Sequence, residues 1–147
     1  MLKTLSRGRI SPRSTDNEKL LALNELQDVA SSVVRIGPLK TSTADAGPDT
    51  VWTSDTIPEG ALISVVLQVQ GQGAGVQGYF HREALFFRPT GGVLTQTGIT
   101  ASPATIRSDV NITAAITVSG NTVIATVSDS SARAISWSAW IEARVSI

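Results

Sequence analysis

A chain of 147 residues, 41% of them hydrophobic, can bury one core and is too short for more than one ordinary domain with a small appendage. It has no Cys, which excludes a disulfide framework, a zinc–thiolate site and a cysteine nucleophile. Its formal charge is zero, yet the first thirteen residues carry Lys3, Arg7, Arg9 and Arg13 with no acid, while Thr41 onward carries five Arg against eight Asp and Glu. A basic arm on a mildly acidic body gives the arm reason to meet a negative surface and leaves the body without the basic footprint of a nucleic-acid binder.

In chain order, residues 1 to about 14 predict an extended arm, because Gly8 and Pro12 break any helix. The arm is basic, contains Ser and lacks acid, a composition shared with short transit peptides, but it has no apolar stretch of the signal-peptide kind. Thr15-Asp16-Asn17-Glu18 has the form of a capping box, and Leu20, Leu23, Gln27 and Ala30 repeat at helical spacing behind it. The spacing predicts a helix over about 16–30, ended by Val33-Val34-Arg35-Ile36 and Gly37-Pro38. Residues 37–60 are rich in Pro, Gly, Thr and Asp, with one strand expected at Thr50–Ser54 and a turn at Ile57-Pro58-Glu59-Gly60. Strands are then expected at Ala61–Gln70, Tyr79–Arg88 and Val93–Thr97, with Gly71–Gly78 read as a Gly- and Gln-rich loop.

The last third alternates cleanly. Ile112, Ala114, Ile116 and Val118 point one way, Ser119-Gly120-Asn121-Thr122 turns the chain, and Val123, Ala125 and Val127 resume the period of two. The final run sets Ile135, Trp137, Ala139, Ile141, Ala143, Val145 and Ile147 on one face, and Ser136, Ser138, Trp140, Glu142, Arg144 and Ser146 on the other. Seven or eight short strands without intervening helices predict two packed antiparallel sheets, of jelly-roll or similar topology. No apolar run approaches the roughly twenty residues of a membrane-spanning helix.

Catalytic motifs do not survive their context. Gly73-Ala74-Gly75-Val76-Gln77-Gly78 matches the dinucleotide fingerprint, but an aromatic, β-like run follows it where a helix is required. His81 stands two residues before Glu83, so a strand would point both the same way; without further ligands this is a charge pair on a sheet surface sooner than a metal site. Gly-x-Ser-x-Gly is absent. Glu83, Asp109, Asp129 and Glu142 have ordinary readings on solvated strand faces and in turns, although carboxylate pairing is spatial and is not legible here. Trp137 falls on the core face, whereas Trp140 falls on the opposite face, as an interface anchor or a ligand platform. Asn111-Ile112-Thr113 matches a glycosylation sequon, without a secretion signal to give it meaning.

The order Tyr79-Phe80-His81-Arg82-Glu83-Ala84-Leu85-Phe86-Phe87-Arg88, then Gly91-Gly92-Val93 and Thr97-Gly98, resembles a β-domain of tailed-bacteriophage virion proteins. The Ser-Gly-Asn turn between Ile116 and Val127, the Trp-containing last strand from Trp137 to Val145, and Trp52-Thr53 before the Pro58 turn extend the resemblance over about 50–147. It implies a β-sandwich, often trimeric, that decorates heads, joins virion parts or forms fibre tips, and it brings no catalytic set.

The expectations are therefore a mainly-β, jelly-roll-like antiparallel sandwich over 41–147, preceded by an arm and helix over 1–40 that attach and oligomerise. The protein would be a non-enzymatic virion component, made in the host cytoplasm and working as a homotrimer. Lys3, Arg7, Arg9 and Arg13 would dock on a major capsid, neck or tail protein, with Leu20, Leu23 and Trp140 in subunit contacts. No cofactor, metal, nucleic acid or membrane enters this reading. The alternative is a carbohydrate-binding module for a host-surface glycan, with Trp140, Trp52 or Tyr79 as platform; a small glycan-degrading enzyme using Glu83 ranks below it.

Overall fold

The structure is a computed structural model and describes residues 31–147. The arm and the helix expected over 1–30 lie outside the described residues, as do Lys3, Arg7, Arg9, Arg13, Leu20 and Leu23. The described chain runs as β1 (Ser31–Thr43), β2 (Asp49–Thr53), β3 (Leu62–Gly73), β4 (Val76–Phe87), β5 (Thr95–Arg107), β6 (Ile112–Ser119), β7 (Thr122–Asp129) and β8 (Ile135–Ser146). There is no helix among the described residues. A five-stranded sheet has the order β1-β8-β3-β4-β5, and a three-stranded sheet the order β2-β7-β6. The chain crosses between sheets at β1–β2, β2–β3, β5–β6 and β7–β8, whereas β3–β4–β5 is a meander and β6–β7 a hairpin within one sheet each.

Period-two patterning decides which faces are buried. Ile63, Val65, Leu67 and Val69 of β3, Phe80, Ala84 and Phe86 of β4, and Ile135, Trp137, Ala139 and Ile141 of β8 turn inward from the larger sheet. Ile112, Ala114 and Ile116 of β6 with Val123, Ala125 and Val127 of β7 turn inward from the smaller one, and all join one core cluster. Trp52, opposite Ala125, is partly buried against that cluster.

Two sequence expectations are corrected. Residues 31–43 form a strand that runs through Gly37-Pro38 and across the domain boundary expected at 40, with Ile36 and Leu39 packed on the core. Proline is tolerated there because β1 lies at the sheet edge, where one side of the backbone has no ladder to donate to. Residues 71–78 are not a loose loop. β3 and β4 pair without interruption from Leu62↔Phe87 to Gly73↔Val76, closing on Ala74-Gly75. Both turn residues have positive φ, 51° and 80°, the backbone signature of a tight two-residue hairpin turn.

The glycine run has a packing cause. A Cβ on Gly71 would lie 2.4 Å from the Trp137 ring, so only glycine lets the indole rest on the β3 backbone. Trp137, 1% exposed, also stands 6.3 Å from the Phe80 ring centroid and donates its Nε1–H to Thr43 Oγ1 at 3.0 Å. One side chain thereby ties the ends of β1, β3, β4 and β8 together.

The border between β5 and β6 is held by two arginines. Arg82 sits at an inward position of β4, 8% exposed, and donates to the carbonyls of Ala114 in β6 and Ala104 in β5 at 3.3 and 2.8 Å. Its guanidinium lies 5.1 Å from the Phe80 ring centroid, and burial lowers its pKa from the ordinary arginine value. Arg107 donates to the carbonyls of Val110 and Ile112 at 3.1 and 2.9 Å, closing the turn into β6.

Candidate functional site

Three groups of residues outside the apolar core carry the chemistry of this chain: an ion clamp at the β7–β8 turn, the outer face of the five-stranded sheet, and the β5 edge.

The clamp is built on Asp129, the last residue of β7 and 0% exposed. Its carboxylate accepts the backbone N–H groups of Ser131 and Arg133 at 3.0 Å each, and a two-pronged contact from Arg133 Nε and Nη2 at 2.8 Å each. Arg133 Nη1 reaches Asp109 Oδ2 at 2.8 Å, linking this turn to the one before β6. Hydrogen bonds from Arg133 hold both carboxyls below the ordinary range, Asp129 well below it and against the opposing effect of its burial. Both are held charged. Stability from such depressed carboxyls is fully present above the unfolded Asp value of about 3.9 and is lost as pH falls through the folded values. Asp109 and Asp129, read from sequence as turn residues, are therefore a structural lock; their coupling through Arg133 had no signal in sequence, because the partners are 20 residues apart and meet only in the fold.

On the outer face of β4, His81 and Glu83 meet as the period of two requires, with His81 Nε2 2.9 Å from Glu83 Oε2. The approach is off the ring N–H direction, so this is a close contact and not an aligned hydrogen bond. Glu142, on the outer face of β8, is paired with Arg144 at 2.7 Å and Arg35 at 3.5 Å, and Arg144 above all lowers its pKa. A general acid for glycoside cleavage needs a carboxyl held protonated, with its pKa raised. Asp109, Asp129 and Glu142 are all shifted the opposite way. Among the described residues no three or more His, Asp or Glu side chains gather as a metal site.

Of the three candidate platform residues, Trp52 belongs to the core margin, while Trp140 and Tyr79 share the outer face of the large sheet. Trp140 is 39% exposed and lies across β1 at Gly37, where an added Cβ would come within 2.6 Å of its ring. Beside it is a shallow groove of about 290 Å³ lined by Arg35, Val66, Gln68 and Glu142. Gln68 then donates from Nε2 to the Tyr79 hydroxyl at 3.1 Å. Beyond Tyr79 the face opens into a trough of about 1230 Å³ that crosses all five strands, from Lys40–Ser42 of β1 through Ser136–Ser138 of β8, Gln70–Gln72 of β3 and Gln77–Tyr79 of β4 to Ile106–Ser108. Sequence reasoning missed the trough. Its residues come from the β3–β4 hairpin and from three further segments far from it in the chain, and only the strand order brings them together.

β5 is the other unusual surface. It is an edge strand whose thirteen residues include none that is buried. Its register against β4 slips twice, between His81 and Glu83 and between Glu83 and Leu85, so that β5 carries extra residues around Pro103 and around Gly98. Such bulges spoil an edge as a template for another strand. Ile99 is 90% and Ile106 65% exposed, with Val93 at 64% and Val110 at 77% on the flanking turns. From Thr95 to Ile106 there is no charged side chain.

No protein-family model matches the chain, and no curated protein matches it. Among solved structures the chain is similar to the Acinetobacter baumannii phage AM24 tailspike protein, with a TM-score of 0.44 and 10% sequence identity. The match covers 93% of this chain and 28% of the tailspike chain, so the chain spans little more than a quarter of that protein's length.

Proposed function

We propose that this chain is a non-enzymatic structural component of a tailed-phage particle: a two-layer β-sandwich with jelly-roll-like crossings at its ends, working as one copy in a symmetric trimer. The observation that carries the assembly is the β5 edge. Of the five large hydrophobic side chains more than 60% exposed among the described residues, four (Val93, Ile99, Ile106 and Val110) fall on β5 and its two flanking turns. Apolar side chains scattered singly over a surface need no explanation, but their concentration on one edge strand that carries no charge from Thr95 to Ile106, and on its flanking turns, marks a contact. Because the bulges at Gly98 and Pro103 spoil the edge for strand addition, the partner copy is met through side chains and not through an extended ladder. The phage assignment rests on the resemblance of residues 50–147 set out above, which carries no catalytic set.

The attachment role falls to the N-terminal segment with Lys3, Arg7, Arg9 and Arg13, placed on an acidic surface of a capsid, neck or tail protein. Removing residues 1–30 leaves the whole of β1 in the chain. The shortened protein is expected to keep the circular dichroism spectrum of the full chain and to fail to bind particles that lack their own copy. Binding at the level of the full chain would refute attachment through this segment, and an unfolded product would refute its separation from the β-domain.

A further inference from the structure

The trough on the outer face of the five-stranded sheet shares Ile106 with the β5 contact just described, and its other lining residues have no part in that contact. Three features give it the character of a ligand site. First, it is wide: five strands at about 4.8 Å spacing make a floor roughly 19 Å across, which suits an extended chain molecule better than a single ring. Second, its lining is mostly uncharged and hydrogen-bonding. Gln70, Gln72, Gln77 and Ser136 offer amide and hydroxyl groups that both donate and accept, and no side-chain hydrogen bond to another described residue occupies them. Third, beside the buried Trp137 the lining includes one partly exposed aromatic ring, Tyr79. Tyr79 is partly buried, lies opposite Gln70 on β3 and Ile106 on β5, and has its hydroxyl held by Gln68 at 3.1 Å.

The trough is also held in shape before anything binds. Trp137 packs on Gly71 beneath it, and Ser108 ties β5 to β4 by accepting the Gln77 N–H at 2.9 Å and donating to its carbonyl at 3.2 Å. The strand floor and the Tyr79 ring are thus held in place, which lowers the ordering cost of binding at those groups. Its charged lining residues are Lys40 and Arg107, and no carboxylate lines it. A polyhydroxylated chain, with hydroxyls that pair with amides and an apolar ring face that lies on Tyr79, matches each of these features.

We propose that the trough binds an oligosaccharide, with Tyr79 as the stacking residue, Gln70 and Gln72 as hydroxyl-reading residues, and Lys40 beside any acidic sugar. None of the residues substituted below belongs to the β5 contact, so loss of binding leaves the oligomer untouched, and the mass of the same sample reports on the oligomer separately. The test is calorimetric titration of the full chain with three probes: maltohexaose, cellohexaose and hexagalacturonate. At least one is expected to bind, with affinity falling about tenfold or more for Tyr79→Ala and severalfold for Gln70→Ala. Trp140→Ala, which alters only the neighbouring groove, is expected to bind as the wild type does. Binding of hexagalacturonate that weakens with salt and with Lys40→Gln identifies an acidic glycan, and binding of a neutral hexamer insensitive to both identifies a neutral one. No binding by any probe would overturn the proposal, as would binding that survives both Tyr79→Ala and Gln70→Ala or that is lost with Trp140→Ala.

Discussion

The double variant Ile99→Glu/Val110→Glu is expected to elute and scatter light as a monomer under conditions where the wild-type chain is a trimer, with an unchanged circular dichroism spectrum and melting temperature of the monomeric fold. Both side chains are largely in water in the single chain, 90% and 77% exposed, so replacing them disturbs no core contact. In a trimer each would be covered by the next copy, where an apolar side chain contributes about 1.5–3 kcal/mol on full burial. A carboxylate placed there gives up that contribution and must be desolvated without a partner, at several kcal/mol per ion. With each 1.4 kcal/mol worth about tenfold in affinity, two such changes should weaken association by well over a hundredfold. Lys40→Glu, a charge change at the trough and away from the β5 edge, serves as the control that leaves assembly intact. A trimeric double variant would show that the β5 edge is not the subunit contact.

The largest loss of folding stability is expected at Trp137. Truncation to Ala should cost about 3–5 kcal/mol, since it removes a fully buried aromatic from the core and the partner of the Thr43 hydroxyl. The same contact can be attacked from the other side. Gly71→Ala puts a methyl 2.4 Å from the indole and should cost about 1–3 kcal/mol through overpacking. In the Trp137→Ala background the added methyl meets a cavity in place of a ring, so Gly71→Ala should then cost little or be stabilising. Urea titration of the two single variants and the double variant measures this coupling directly. Additive losses would mean that Gly71 is constrained by its backbone and not by the ring above it.

What could be read from the sequence follows from where one face of a strand is buried and the other wet. β6, β7 and β8 satisfy that condition, and their alternation from Ile112 to Ala143 predicted both the strands and the faces, Trp137 inward and Trp140 outward. β5 does not satisfy it. No residue of the strand is buried, so no period is imposed, and the bulges at Gly98 and Pro103 look in sequence like breaks. The expected strand accordingly covered Val93–Thr97 and missed the rest. β1 was lost to the same reasoning at Gly37-Pro38, since proline and glycine are read as stops although an edge strand accepts them. Arg82 was legible by parity alone: Phe80, Arg82, Ala84 and Phe86 share one face, which places a cation among core residues. Its carbonyl partners on β5 and β6 were not, because they lie 22 and 32 residues away. The trough failed to show for the related reason that it is a property of strand order.

If the chain works as one copy in a symmetric trimer, the purified full chain shows it in its mass by light scattering. A mass of about 46 kDa is expected, three times the 15.4 kDa of the single chain and independent of dilution through the micromolar range. A mass of 15.4 kDa at those concentrations would contradict it.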